Sequence, residues 1–407
     1  MTLRRNLTPP PHWLIASSTV ALVLILCTAI LTLWVPGRWS LSLFQTGVLA
    51  LAAAWALRMI FRPYALGIPP LLIPLGAAVL IGLLQLAARW TVNRWETWNA
   101  VLEWFVCLLA FWLASQLFAD ADILASFRRA LLYFAFALSV LATMQYFTSP
   151  GKVFWIFQSE YQEGVMGPFV NLDHYAAFIE LVLPLALFEG IRDRRRMLPA
   201  TMMGAAMVAS VIAGGSRAGS VLVMAECGAV MLLAPRRKLS TSMPAAFAGS
   251  LGLCLLVFGT VVGWTHLWQR FQIPDPYHGR SAILTSTLAM ARARPWTGFG
   301  LGNFENVYPG YAILRTGDIV THAHNDWAEW AAEGGLPLFA CLLAVALWAA
   351  PRAVRSLWGV GVLAVLLHSL VDFPMQKPAL ALGLFILLGA LAAQPRRLPT
   401  GGPVEPT

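Results

Sequence analysis

The chain has 407 residues, of which 58% are hydrophobic and only 12% charged, with a formal net charge of +9. Soluble domains carry about 25% charged residues, so this composition excludes an ordinary soluble protein. Continuously apolar segments recur along the whole length and predict an all-α polytopic membrane protein, since about 20 such residues span a bilayer core. In chain order we predict twelve spans, at roughly 13–34, 39–60, 65–88, 99–118, 127–147, 172–191, 197–214, 217–234, 244–265, 335–351, 356–372 and 378–394.

These spans divide the chain into four predicted regions. Residues 1–265 hold transmembrane helices 1–9, residues 266–334 form an outer loop with short helices, and residues 335–395 hold helices 10–12. The tail 396–407 is polar and rich in Pro and Gly, and we expect it to be disordered.

The distribution of charge predicts the orientation. Most of the 28 basic residues fall at alternate ends of the spans, as the positive-inside rule requires, and this places both termini in the cytoplasm. Because topology explains the positive charge, we do not expect nucleic acid as a partner. The long outer loop nevertheless carries five arginines: Arg270, Arg280, Arg292, Arg294 and Arg315.

Two arginines on the predicted outer side are candidates for binding phosphate. Arg217 lies among small residues in "AGGSRAGS" (213–220), where snorkelling to the membrane interface is the alternative explanation. Arg280 begins "RSAILTSTLAMARARP" (280–295), a predicted helix, and alone would be an ordinary solvated arginine. Guanidinium groups bind phosphate bidentately, so the two together can hold a diphosphate.

The stretch "THAHNDWAEWAAEGGLPLF" (321–339) supplies a candidate general base. Asp326 and Glu329 fit a capping box at the start of a helix, and His324 lies just before it. The positive end of the helix disfavours the imidazolium there, and a neutral imidazole can accept a proton from a hydroxyl. A structural histidine is one alternative. A metal site with His322 is another, although no further ligands follow at convincing spacing.

Further polar residues of the outer loop complete the candidate site. "TGFGLGNFENVYPGY" (297–311) predicts repeated turns rather than a nucleotide-binding fingerprint, because Asn303 stands where the third glycine would fall. Secondary candidates are His322, Asn325, Asn303 and Arg270.

Several of these stretches together resemble the O-antigen ligase family. In "HNDWAEWAAEGG", His324, Asn325 and Gly335 match the family's pattern of His-Asn, a nine-residue gap and Gly. "GGSRAGS", "RSAILTSTLAMARARPWTGFGLGNF" and "HSLVDFPMQKPALALGLF" (368–385) resemble its other conserved parts, and the likeness covers about 165–390. Pro337–Leu338 departs from the pattern, since many members have a second glycine there.

The resemblance implies a GT-C-like protein of the bacterial inner membrane, with about twelve transmembrane helices and a large periplasmic loop between spans 9 and 10. It implies an inverting glycosyltransferase of lipopolysaccharide biosynthesis that needs no metal and no cofactor. The donor would be an undecaprenyl diphosphate-linked glycan, and the acceptor lipid A-core or another glycan. His324 would deprotonate the acceptor hydroxyl, and Arg217 and Arg280 would bind the diphosphate.

Two alternatives remain open at this stage. A polysaccharide polymerase of the same superfamily would be built from similar parts, with a growing glycan as acceptor. A lipid-linked sugar transporter or flippase would place ionisable residues within the spans, and Glu180 in "DHYAAFIELVLPL" is the residue that favours it.

Overall fold

The computed structural model describes residues 10–159, 164–234, 242–262, 265–272, 278–314 and 319–393. The helices are α1 His12–Leu31, α2 Arg38–Phe61, α3 Leu72–Ala88, α4 Arg94–Leu117, α5 Ala121–Thr148, α6 Leu172–Arg192, α7 Met197–Gly214, α8 Arg217–Leu233, α9 Ser242–Val262, α10 Thr265–Phe271, α11 His278–Ala293, α12 Phe304–Val307, α13 Asp326–Ser356, α14 Val360–His368 and α15 Pro378–Ala392. Two short antiparallel strands, β1 Lys152–Val153 and β2 Phe157–Gln158, form a hairpin between α5 and α6.

The apolar segments of the sequence are helical. Within the described ranges, seven helices are long and apolar enough to cross a membrane, so this is a multi-pass membrane protein. Each of the twelve predicted spans coincides with a helix, but α14 (Val360–His368) is much shorter than the predicted segment 356–372. The third helix begins at Leu72 rather than 65, because Pro69 and Pro70 delay its start. The number of complete crossings stays a prediction, and the tail from residue 394 lies outside the described residues.

Helix α6 is the centre of the bundle. Nearly all its side chains are buried, and it packs against α7, α8 and α14, while α15 packs against α4. This complete burial explains why the α6 sequence is apolar on every face rather than on one stripe. The buried centre places the first residues of α6 and α8 side by side at the predicted outer surface.

The outer loop is docked against the helices by a buried amide. Gln85 of α3 donates from Nε2 to the carbonyl oxygens of Thr297 (2.7 Å) and Glu333 (2.8 Å). The backbone N–H of Leu301 donates to Gln85 Oε1 at 3.0 Å. The predicted turns are present, since Gly298, Gly300 and Gly302 all have positive φ.

Helix α13 begins inside the segment predicted as a loop with short helices. It starts at Asp326 and is interrupted at Gly335, whose φ of 69° lies in the left-handed region. A Cβ on Gly335 would meet the Pro295 carbonyl oxygen at 2.8 Å, and one on Gly298 would overlap the Glu333 carbonyl oxygen. Loop and helix therefore approach backbone to backbone, which only glycine permits at these two positions.

Candidate functional site

Five polar side chains, each from a different part of the chain, meet at the predicted outer ends of the helices. Asp173 lies in the first turn of α6, Ser216 caps α8, Arg280 belongs to α11, His324 precedes α13, and Asp372 follows α14. The site is therefore assembled from segments that are far apart in sequence.

His324 is held in a defined orientation by a buried carboxylate. Its Nδ1 lies 2.9 Å from Asp372 Oδ1, and the histidine side chain is 28% exposed, whereas that of Asp372 is 1% exposed. A carboxylate at Nδ1 fixes the proton on that nitrogen and leaves Nε2 as the proton acceptor. His324 also has a φ of 50°, an uncommon conformation for a residue with a Cβ, and such residues cluster at functional sites.

The start of α13 corrects the predicted capping box. Asn325 is the N-cap, since its Oδ1 accepts from the Ala328 N–H at 2.9 Å. Asp326 is buried and accepts from the Met375 N–H at 3.0 Å, and Glu329 accepts from the Ala323 N–H at 2.6 Å. The two acids therefore fasten neighbouring loops to the helix instead of capping it.

Arg280 and Ser216, the residue before Arg217, both contact Asp173. Arg280 Nη2 lies 3.1 Å from Asp173 Oδ2 and 4.0 Å from Asp372 Oδ1, and its Nη1 donates to the Val371 carbonyl at 2.9 Å. Ser216, directly before Arg217, donates to Asp173 Oδ1 at 2.7 Å. The Arg280 side chain keeps 29% exposure, so part of its guanidinium still faces solvent.

Phe373 is shared by the histidines of the site. The His322 ring stacks on it with centroids 4.5 Å apart, and the rings of His324 (4.8 Å) and His174 (4.7 Å) meet it edge-on. The Lys377 ammonium lies 5.1 Å from the same ring centroid, a cation–π distance. Burial lowers the pKa of His322 to about 3, so its imidazole is neutral at pH 7.

A comparison with protein families identifies the segment that holds most of these residues. Residues 202–343 match the family model described as O-antigen ligase. This segment is an O-antigen ligase family domain. No curated protein and no solved structure matches the chain.

The matched segment contains Arg217, Arg280 and His324 and also the four secondary candidates, so all seven predicted site residues lie within it. Asp173 and Asp372, which contact Arg280 and His324, lie outside it on either side. The site is therefore completed by segments that flank the O-antigen ligase family domain.

The secondary candidates separate into residues near the site and residues away from it. His322 bonds Glu329 through Nδ1 at 2.9 Å, and Asn325 donates to the Leu370 carbonyl at 2.7 Å, so both border His324. Asn303 is fully buried and bonds Thr97 and the Asn93 N–H, which fastens the loop to the start of α4. The side chain of Arg270 lies outside the described residues.

The carboxylates Asp173 and Asp372 were missed by the sequence analysis. Both occur in stretches that it quoted or bounded, "DHYAAFIELVLPL" and "HSLVDFPMQKPALALGLF". Each is an aspartate at the predicted outer end of an apolar segment. An aspartate in that position usually lies in a solvated helix cap. Nothing local to either aspartate indicates that it contacts an arginine or a histidine distant in sequence.

One group of side chains could in principle ligate a metal. In the part of the chain that the structure describes, ligating atoms of Asp173, His368 and Asp372 lie within 4.8 Å of one another. Arg280 already contacts both carboxylates, and its positive charge balances them in the way a cation would. The arrangement is therefore accounted for by its own charges.

Proposed function

We propose that this O-antigen ligase family protein transfers a glycan from undecaprenyl diphosphate to a hydroxyl of lipid A-core at the periplasmic face of the bacterial inner membrane. The reaction proceeds with inversion and without a metal. The observation that carries the proposal is the partly exposed His324 ring, which a buried Asp372 orients while Arg280 contacts that same carboxylate.

In this mechanism His324 is the general base. Its Nε2 accepts the proton of the acceptor hydroxyl, and the oxygen attacks the anomeric carbon from the side opposite the diphosphate. The new C–O bond forms as the bond to the diphosphate oxygen breaks, and the electron pair leaves with that oxygen. The proton then resides on His324, where the Asp372 carboxylate, 2.9 Å from Nδ1, stabilises the imidazolium.

The arginines act on the leaving group. A diphosphate gains negative charge as the glycosidic bond breaks, and guanidinium groups aimed at it stabilise the transition state more than the ground state. Asp173 and the Val371 carbonyl hold Arg280 in place before the donor arrives. Arg217, at the first position of α8 and next to Ser216, is proposed to bind the second phosphate.

A polymerase of the same superfamily remains the second candidate, since the same base and arginines would serve a growing glycan as acceptor. The transport alternative depends on Glu180. Its carboxylate is fully buried and lies 2.8 Å from His368 Nδ1, so it has a structural partner inside the bundle. This pairing favours a structural role for Glu180 over a place on a transport path.

The test is a transfer assay with purified protein in lipid nanodiscs. The donor is undecaprenyl diphosphate-linked glycan, the acceptors are lipid A-core and free glycan, and neither nucleotide nor metal is added. We compare wild type with His324→Ala, and with His12→Ala as a control because His12 is exposed at the start of α1.

Labelled lipid A-core from wild type and His12→Ala, but not from His324→Ala, supports the ligase. Label in the free glycan alone supports the polymerase. Equal transfer by His324→Ala removes His324 from the mechanism, and no transfer to any acceptor by wild type contradicts the proposal.

A further inference from the structure

A second polar region lies inside the bundle, separate from the arginines. A cavity of about 250 Å³ is bounded by α3, α4, α13 and α15. Along α15 its lining runs from Pro378 to Leu388, about 15 Å at 1.5 Å per residue. It therefore extends from the predicted outer surface well into the apolar layer.

One wall of the cavity is a polar stripe on a membrane helix. Glu96, Asn99 and Glu103 of α4 all line it, and their i, i+3, i+7 spacing puts them on one helix face. Ionisable side chains are costly inside a membrane and usually face a cavity with a function. Glu103 lies about two helical turns along α4 from Glu96. The polar wall therefore extends further into the membrane than the level of the lipid headgroups.

Two hydrogen-bond donors at this wall are unused. Among the described residues, the buried amide nitrogens Asn99 Nδ2 and Gln376 Nε2 have no hydrogen-bond partner, and both residues line the cavity. A buried donor without a partner is destabilising, and a ligand hydroxyl can satisfy it. Trp104 and Trp330 add aromatic faces to the same lining.

The charges of the lining indicate what the cavity can hold. Glu96, Glu103 and Glu333 all border it, while the Arg38 guanidinium at its edge lies over the Trp95 ring, 5.3 Å from the centroid. Three carboxyl groups disfavour a diphosphate, but they accept hydrogen bonds from hydroxyl groups. Deeper down, Leu75, Val345 and Leu388 offer only apolar contact.

The cavity also reaches a residue close to the proposed base. His322 lines it and stacks on Phe373, and the same Phe373 ring meets His324 edge-on. We propose that this cavity binds an uncharged sugar unit of the acceptor, with the sugar against α4 and an apolar part of the acceptor against the apolar floor. This inference rests on the proposed transfer reaction, because it assigns the hydroxyl substrate of that same site.

The test measures binding rather than transfer. Full-length protein in phosphatidylcholine nanodiscs is titrated with radiolabelled octyl glucoside below its micellar concentration, and empty nanodiscs are subtracted. Glucose, octanol and octyl phosphate compete separately, which distinguishes the head, the tail and a charged head. The variants are Asn99→Leu and Glu103→Leu, with Glu226→Leu as the matched control, since Glu226 is also a buried helical carboxyl but does not line the cavity.

We expect saturable binding to wild type and to Glu226→Leu, and roughly tenfold weaker binding to each α4 variant. We expect all three competitors to be weaker than octyl glucoside itself. Absence of saturable binding, unchanged binding by both α4 variants, or preference for octyl phosphate would overturn the inference.

His324→Ala separates this inference from the proposed function. It should abolish transfer while binding octyl glucoside as tightly as wild type does. If wild type transfers glycan but binds no octyl glucoside, the cavity assignment fails and the transferase stands. If wild type binds octyl glucoside at α4 but transfers nothing, the transferase fails, and with it the assignment of this site to an acceptor.

Discussion

Two histidine–carboxylate pairs of nearly identical geometry lie at different depths in this protein. His324 Nδ1 is 2.9 Å from Asp372 Oδ1, and His368 Nδ1 is 2.8 Å from Glu180 Oε1. The outer histidine side chain is 28% exposed, whereas both members of the inner pair are fully buried. Only the outer ring is exposed enough to meet a substrate. In the proposed mechanism the same hydrogen bond therefore serves reaction in one place and support in the other.

The two pairs are connected through the backbone. The carbonyl of His368 accepts from the N–H groups of Val371 (2.9 Å) and Asp372 (3.1 Å). The inner pair therefore fixes the turn that carries Asp372, and Asp372 in turn orients His324. The two pairs differ in exposure, but this shared turn couples them structurally.

The largest effect is expected at the outer histidine. His324→Gln keeps the size and polarity of the side chain but cannot accept a proton, so kcat should fall by about 10²–10⁴-fold. The assay is single-turnover transfer with saturating donor, and donor binding serves as the folding control. A fall in kcat of less than threefold would mean that the outer pair, like the inner pair, has no catalytic role.

The next effect concerns the carboxylate of the outer pair. Asp372→Asn should lower kcat by roughly 10²-fold, because a neutral amide can stabilise the wrong tautomer of His324 and leaves the imidazolium uncompensated. The KM for the acceptor should change little. If the loss appears in KM alone, Asp372 shapes binding rather than orienting the base.

A smaller effect on rate, with a larger effect on stability, is expected at the inner pair. His368→Gln leaves Glu180 buried without its partner and should lower the free energy of unfolding by about 3–5 kcal/mol. The double variant Glu180→Gln/His368→Gln should recover part of that loss, and its kcat should lie within about tenfold of wild type. Thermal unfolding in nanodiscs measures the stability. Complete loss of transfer in a double variant of wild-type stability would contradict a purely supporting role.

The smallest effect is expected at His322. Burial lowers its pKa from 6.5 to about 3, so the unfolded chain binds this proton first as the pH falls. The free energy of unfolding contributed here is constant above about pH 6.5 and decreases below it, by up to about 1.4 kcal/mol per pH unit. In His322→Phe that acid dependence should flatten while neutral-pH stability changes by under about 1 kcal/mol. If the free energy of unfolding falls with the same slope between pH 4 and 6 in wild type and in His322→Phe, His322 does not cause the acid dependence.

Sequence patterns predicted the helices well because burial in a bilayer demands continuous apolar runs, and these are visible locally. They also singled out Arg217, Arg280 and His324 as polar residues beside such runs. The pairing of His324 with Asp372 was not predictable, since that contact depends on how α13 and α14 pack. The N-cap was misplaced by one residue because Asn and Asp cap equally well, and the burial of Asp326 against Met375 decides between them.

The close backbone contacts at Gly298 and Gly335 affect how the results of a genetic screen of this protein would be interpreted. Neither residue has a side chain, and neither takes part in the chemistry. A library of all single substitutions should nevertheless deplete every replacement at both positions, as it would at His324. Intolerance to substitution would thus score these two positions alongside the proposed general base, and only the abundance of each variant in the membrane would separate a failed fold from a failed reaction.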